Sequence, residues 1–321
     1  VASVVRLRVL MEPRHGARYL DIRALALLTE DAGFDAFFRS DHLMGVDPQD
    51  ATFRPTDCWT TLAGLARDTT RVRLGALVGA ATFRQPGLLA TIVASVDEMS
   101  GGRVELGLGT GWYEREHRAF GIPFPPVKER FDRLEEQLAV ITGLWTAMPG
   151  EPFSHDGHYR VEANISPPRP AQQPHPPVIV GGSGPRRTPA IAARFAAEFN
   201  GALTPGDRGG ALRERFAGFD RACAAIGRDP ATARRSAVLP IACGATAAEV
   251  ERRGAVIGSE LMRATAAIGS PQLVVDRLAE LAEAGADTVY LHVYDIHDLD
   301  HVALIGAEVL PHIQQPTGVS A

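Results

Sequence analysis

The sequence predicts an α/β protein folded as a (β/α)8 TIM barrel with insertions. Three observations carry that expectation. Eight short apolar, β-rich runs alternate with amphipathic helical patterns, the arrangement of a parallel sheet joined by crossover helices. A unit of helix, Ala-Gly, then strand occurs near both ends of the chain. The 321 residues also fit a barrel of about 250 residues enlarged by insertions.

Taken in order, residues 4–11 read as the first strand. A helix follows over 19–32, with Leu20, Leu25, Leu27 and Leu28 set among charges, and Ala32-Gly33 supplies a glycine stop. Residues 34–39 are the second strand, 59–67 a helix, 72–78 the third strand, 88–99 a helix and 103–109 the fourth strand. The helix over 128–147 has a clear apolar face of Phe131, Leu134, Leu138, Ile141 and Trp145. Strands over 177–181, 196–200 (the least apolar of the set) and 237–242 alternate with helices over 189–195 and 211–226. Ser270-Pro271 combines an N-cap residue with a first-turn proline. Leu273, Val274, Leu278 and Leu281 then make a helical stripe, Gly285 ends it, and 288–294 is the eighth strand. Two segments exceed ordinary loops: 149–176, rich in Pro, His and Gly, and the Gly-rich 202–210. Loops of such length are usually lids or binding elements, so residues 1–321 read as one barrel domain with two insertions.

Composition removes several classes of function. With 33 basic and 38 acidic residues the net charge is −5, which argues against nucleic-acid binding, since that needs a basic footprint. No apolar run approaches the roughly 20 residues of a membrane span, and no signal-peptide pattern opens the chain. The cysteines Cys58, Cys223 and Cys243 follow no spacing rule, so a cytoplasmic, reducing setting is expected. Lys128 is the single lysine, in a polar Val-Lys-Glu-Arg stretch. Schiff-base, pyridoxal-phosphate and P-loop chemistries each need a lysine at a defined place, and that context is missing here.

In a barrel of this kind chemistry sits at the C-terminal ends of the strands. The first strand is followed by Glu12, Pro13, Arg14 and His15, the second by Ser40, Asp41 and His42, and the third by the stretch from Gly79 to Arg84. Gly109-Thr110-Gly111-Trp112 follows the fourth strand and Gly181-Gly182-Ser183-Gly184 the fifth. The Gly-Gly-Ser-Gly turn precedes Pro185-Arg186-Arg187-Thr188 and a helix, so free backbone N–H groups, a hydroxyl, a helix N-terminus and two arginines could cradle a phosphate. A tight β-to-α turn that simply needs glycine would look the same. Thr110, Gly111 and Trp112 could admit and line a planar ring, or form an ordinary Gly-rich bend. Asp41-His42 sets a carboxylate beside an imidazole able to stabilise charge or shuttle a proton. Glu114 and His117 stand close behind as further proton donors. A metal site is not expected: His297 and His301 lie at an acidic helix start, where a helix dipole favours carboxylates. His155, His158 and His175 lack zinc spacing.

Several ordered stretches together resemble the bacterial luciferase-like family, most closely its branch dependent on the deazaflavin coenzyme F420. They are Phe34 to His42 (FDAFFRSDH), Leu74 to Arg84 (LGALVGAATFR), Ser100 to Trp112 (SGGRVELGLGTGW), Gly121-Ile-Pro-Phe-Pro-Pro, Glu129-Arg-Phe-Asp-Arg-Leu-Glu-Glu and Pro176-Pro-Val-Ile-Val-Gly-Gly182. The likeness runs from Val4 to about His312. It implies a barrel that binds F420, or alternatively FMN, at the C-terminal mouth and works as a homo-oligomer, a dimer, on a small organic substrate. By the resemblance, Asp41 and His42 face the deazaflavin head, and Leu77, Val78 and Gly79 lie on a strand-three bulge that buttresses one ring face. Thr110, Gly111 and Trp112 contact the ring; Gly181, Gly182 and Ser183, with Arg186 and Arg187, hold the phosphate. The implied reaction is hydride transfer, with His42 as the charge-stabilising or proton-relaying group. An FMN-dependent monooxygenase is the alternative; a metal-dependent barrel hydrolase is disfavoured. The chain departs from the sugar-phosphate dehydrogenases of the branch, which carry a carboxylate where Trp112 stands and a tryptophan near Met44 and Gly45. The substrate pocket is expected from the 149–176 insertion and the loops after the first, seventh and eighth strands.

Overall fold

The computed structural model describes residues 5–14, 16–45, 53–206 and 208–314. Eight parallel strands form the wall: β1 (Arg6–Met11), β2 (Ala36–Arg39), β3 (Arg73–Ala76), β4 (Val104–Gly109), β5 (Val178–Gly182), β6 (Glu198–Gly201), β7 (Arg234–Cys243) and β8 (Thr288–Val293). Each pairs with its neighbours in chain order, and β8 pairs with β1, Arg6 opposite Thr288, to close the ring. Outside lie α1 (Tyr19–Asp31), α2 (Cys58–Asp68), α3 (Pro86–Ser100), α4 (Glu114–Ala119), α5 (Val127–Thr146), α6 (Arg187–Phe195), α7 (Gly210–Ala225), α8 (Ala247–Ala255), α9 (Glu260–Arg263), α10 (Pro271–Glu283), α11 (Leu299–Glu308) and α12 (Leu310–Gln314). Outward strand residues such as Val9, Phe37, Leu74, Leu106 and Leu291 meet the apolar stripes of the helices in one continuous core. Leu20 and Leu273, counted into those stripes from sequence, are instead exposed.

The departures from the sequence reading are local. The third strand stops at Ala76, the Leu77–Val78 peptide is cis, and pairing resumes at Gly79–Ala80 against β4. The sixth strand starts two residues later than its apolar run. Missed altogether are α4, α8, α9, α12, a short strand Ala267–Gly269 that extends the sheet beside β7, and a hairpin of Phe153–His155 with Val161–Asn164. These pieces are too short to establish a period.

The first long segment runs along the outer helices. In 149–176, Phe153 packs on Gly143 of α5. The Tyr159 N–H donates to Glu136 of α5 at 2.8 Å. The Gln172 amide donates to Asp97 of α3 and to the Val104 carbonyl, both at 2.7 Å, at the start of β4. The segment braces the side of the barrel. In 202–210 the Gly206 N–H donates to the Ala264 carbonyl at 3.1 Å, and Arg208 pairs with Glu280 of α10 at 2.7 Å.

Inside the barrel, alternation sends Arg8 of β1, Glu105 of β4, Glu198 of β6 and Tyr290 of β8 to one level. Arg8 donates to Glu105 through both terminal nitrogens (2.8 and 3.1 Å), to the Tyr290 hydroxyl (2.9 Å) and to Asp35 (2.6 Å). Tyr290 and Ser236 donate to Glu198 at 2.7 and 2.6 Å. Arg234 closes the network onto Glu198 (3.0 Å) and Glu105 (3.2 Å), and Arg73 also pairs with Glu105. Above this layer Leu10, Phe38, Leu77 and Ile179 fill the barrel's middle. Burial would raise Glu105, but Arg8, Arg234 and Arg73 outweigh it and hold its carboxyl down at about 2.

Two outcomes follow. Removing one partner of a buried ion pair costs about 3–5 kcal/mol, so Arg8→Met should lower unfolding stability by that order in urea titrations. Because Glu105 is depressed, its contribution is complete above the unfolded carboxyl range. It should be lost as pH falls from about 4 towards 2, which acid titration of the unfolding free energy would read.

Candidate active site

The site is the mouth formed by the C-terminal ends of the strands. Its floor is Val78. Gly107 and Gly109 of β4 and Gly181 of β5 stand on inward positions, and their missing side chains make room for the Val78 isopropyl group. A Cβ on Gly107 would collide with the Ala76 carbonyl and lie 2.9 Å from Val78. On Gly109 it would lie 3.0 Å from the same side chain, and on Gly181 3.2 Å. Val78 therefore rests across two strands, its outer side still partly exposed. Gly109 and Gly181, noted at the strand ends from sequence, thus make room for this residue, whereas Gly111 and Gly182 do not border it.

At the end of β2 the buried Arg39 donates to the Ser40 carbonyl, Thr56 and Thr61 at 2.9–3.0 Å, fixing the strand's exit against α2. The dipeptide that follows splits. Asp41 is buried and clamped by Arg84, which also reaches Asp57 at 2.7 Å. Burial raises the Asp41 carboxyl in spite of that arginine. His42 takes a different carboxylate: its Nδ1 lies 3.1 and 3.2 Å from the two oxygens of Glu116, which also accepts the Leu43 N–H at 3.0 Å. Burial works against charge on His42, but the Glu116 hydrogen bond, Glu12, the Glu116 charge and Asp41 outweigh it and raise its pKa. The expected Asp41–His42 partnership is thus replaced by Arg84–Asp41 and His42–Glu116. Glu116 was missed because the helix that carries it, α4, is six residues long and shows no sequence signal of its own.

The same helix corrects His117. Its ring is fully buried. Nδ1 donates to the Tyr113 carbonyl at 2.8 Å, and Nε2 lies 2.7 Å from the Thr82 hydroxyl, so both nitrogens are committed. It ties α4 to the segment after the third strand and has no free nitrogen for proton transfer. Glu114 is exposed and pairs with Arg118. Gly111 adopts φ +73°, a conformation that favours glycine, and a Cβ there would meet Ala80, Thr82 and His117. This turn delivers Trp112, which is 62% exposed. Trp112 stacks on Tyr113 at 5.3 Å and meets the His42 ring edge-on at 5.6 Å.

The β5 turn leaves Gly182, Ser183 and Arg186 exposed. Arg187 does not join them: it bonds Asp132 at 2.7 Å and reaches Glu135 and the Lys128 carbonyl on α5. Arg215 of α7, which the sequence reading overlooked, donates to the Ser183 carbonyl at 2.9 Å. Beyond the turn a cavity of about 590 Å³ opens between α6 and α7, with Gly182, Gly184, Arg186, Arg215 and Arg221 in its lining. On the opposite side of the mouth Arg14 donates to Glu12 at 2.6 Å, and Glu12 lies 3.9 Å from His292. His15 lies outside the described residues. His301 accepts the Cys243 N–H at 2.9 Å, and Asp298 caps α11 by accepting the His301 N–H at 3.1 Å, as the acidic helix start implied. Among the described residues no helix is long and apolar enough to cross a membrane.

Known proteins resemble this chain in sequence and in fold. The chain is 37% identical over 172 residues to an F420-dependent glucose-6-phosphate dehydrogenase of Microbacterium testaceum, a match covering 53% of this chain and 48% of that protein. It is 33% identical over 261 residues to an F420-dependent hydroxymycolic acid dehydrogenase of Mycobacterium tuberculosis, covering 80% and 67%. The match thus spans about half the length of the first relative and two thirds of the second. In fold it superposes on an F420-dependent secondary alcohol dehydrogenase with a TM-score of 0.81 at 17% identity, over 97% of this chain and 99% of that one. Residues 2–257 match the luciferase-like monooxygenase family. With four fifths of its length inside that match and a closed barrel whose mouth carries the motifs, the chain belongs to the luciferase-like monooxygenase family of oxidoreductases.

Proposed function

We propose that this chain is an F420-dependent oxidoreductase that moves a hydride between the coenzyme and a small organic substrate. The observation that carries the reading is the arginine-lined cavity between α6 and α7, continuous with the exposed Gly182-Ser183 turn. FMN ends at its phosphate, whereas F420 carries an anionic glutamyl tail past it. Arg221 is paired with Glu214 at 2.7 Å, and Arg186 and Arg215 are the cations of the lining that suit such a tail. The 33–37% identical relatives named above are F420-dependent dehydrogenases, which supports the same choice.

The residues fit the group. Gly181, Gly182, Ser183 and Arg186 would hold the phosphate at the start of α6. Val78, flanked by Leu77 and Gly79, offers an apolar platform for one ring face. Asp41 stands 3.0 Å from where a Gly79 side chain would begin. Thr110, Gly111 and Trp112 would border the ring edge. When bound, F420 supplies a carbon that accepts or gives hydride. The protein's part is positioning and proton control. Glu116 occupies Nδ1 of His42, which leaves Nε2 as the nitrogen able to take a proton from a substrate hydroxyl or return one to a carbonyl. The raised pKa keeps the protonated form accessible near neutrality.

Titration with F420 and with FMN, followed by fluorescence, should give the tighter complex with F420; tighter FMN binding would favour the monooxygenase reading. Arg215→Ala should weaken F420 by about tenfold, the value of one charge-assisted hydrogen bond, and FMN much less. His42→Ala should lower kcat by about 10²–10⁴ with little change in F420 affinity. Glu116→Gln removes the carboxylate that raises His42, so the pH–rate midpoint assigned to His42 should move down.

A further inference from the structure

Three buried polar atoms at the mouth have no hydrogen-bond partner: Ser40 Oγ, His292 Nε2 and Tyr294 Oη. They are not scattered. Tyr290 points into the barrel, where its hydroxyl meets Arg8 and Glu198, so His292 and Tyr294, two and four residues on, face the same interior. Their rings confirm this, with centroids 4.3 Å apart. The register pairs Leu10 of β1 with Phe38 on one side and His292 on the other. Just past this register, the Ser40 N–H donates to the Met11 carbonyl at 2.9 Å, and the Tyr294 ring lies 4.9 Å from the Arg14 guanidinium that binds Glu12. The three orphaned groups thus lie on the ends of the two strands that flank β1. His292, Tyr294 and Ser40 are only 5%, 4% and 5% exposed. Burying a polar group unpaired costs free energy, and buried polar atoms are rarely left so without a reason.

The charge is already accounted for. Arg14 binds one Glu12 oxygen and lies over the Tyr294 ring at 4.9 Å. The other oxygen faces His292 Nε2 at 3.9 Å, too far for a direct hydrogen bond. A hydroxyl placed to one side of that gap can donate to Glu12 and accept from His292, whereas a carbonyl oxygen can only accept, from His292, Tyr294 or Ser40. Burial drops the His292 pKa to about 4 and raises the Tyr294 phenol, so both are neutral at physiological pH. What is unfilled is hydrogen bonding, not charge.

We infer that Ser40, His292 and Tyr294 form, with Glu12, a substrate subsite that receives a neutral hydroxyl or carbonyl oxygen and excludes phosphate and carboxylate groups. The inference rests on the oxidoreductase reading above and narrows it to substrates that are neutral alcohols or ketones at this end. The three residues position the substrate; His42 is the group that handles the proton.

The test uses the full-length chain with Tyr294→Phe, Ser40→Ala and His292→Phe. Trp112 is the exposed tryptophan, whereas Trp59 and Trp145 are 2% and 5% exposed, so intrinsic fluorescence reports ligand entry. Isopropanol, cyclohexanol and benzyl alcohol are the probes, with benzoate as the charged comparison. The expected result is that at least one alcohol binds the wild type more tightly than benzoate does. Tyr294→Phe and Ser40→Ala should each weaken it by about two- to tenfold, the range of a single neutral hydrogen bond. Because the deleted hydroxyls have no partner, neither variant should lower Tm, whereas a structural role would. Failure of every alcohol, equal binding by both hydroxyl-deletion variants, or preference for benzoate would each overturn the subsite. F420 titration of the same variants keeps the two readings apart: unchanged F420 affinity with lost alcohol binding supports the subsite, and F420 failing on the wild type as well refutes the coenzyme assignment alone.

Discussion

Arg8 holds the interior of the barrel together, and the mouth is built on that layer. A ring of eight strands encloses a column of inward side chains, and at the lower level those side chains are ionic. Arg8, Arg73 and Arg234 face Glu105, Glu198 and Asp35, so the layer is close to neutral. Burying so many charges is favourable only when every one finds geometry as good as this. The apolar layer of Leu10, Phe38, Leu77 and Ile179 then separates the ions from the mouth. The upper residues therefore rest on an apolar base, and their carboxylates have partners of their own.

At the mouth the same pairing principle assigns roles. Asp41 belongs to Arg84, Glu12 to Arg14, Glu116 to His42, and Asp298 to Arg253. Two groupings remain among the described residues. Arg186 lies beyond the β5 turn with Arg215, which holds the Ser183 carbonyl, and Arg221, which pairs with Glu214, while neutral polar groups lie at the ends of β2 and β8. On the reading proposed above, that division would give the mouth an end for an anionic group and an end for a neutral one.

The framework was legible in the sequence because it rests on period. The strands, the sixth most weakly, and the long helices carry apolar patterns that survive without tertiary context, and the strand ends that bear the site follow directly. Partnerships were not legible in the same way. Adjacency suggested Asp41 for His42, but consecutive residues leaving a strand diverge, and the acceptor came from a helix 74 residues away. His117 and Arg187 carried the right chemistry and turned out to be consumed by local bonds to Thr82, Tyr113 and α5. His292 and Tyr294 escaped notice for the opposite reason, since inside an apolar strand an imidazole and a phenol read as packing.

Val78 spans Gly107, Gly109 and Gly181, and any larger residue at those places would push it out of register. The tips of β4 and β5 are therefore closed to side-chain variation, whatever the ligand. A lineage that kept this floor and changed its chemistry would have to write the change on the ends of β1, β2 and β8, leaving half of the rim as inherited scaffold and half as the page on which new specificity is drafted.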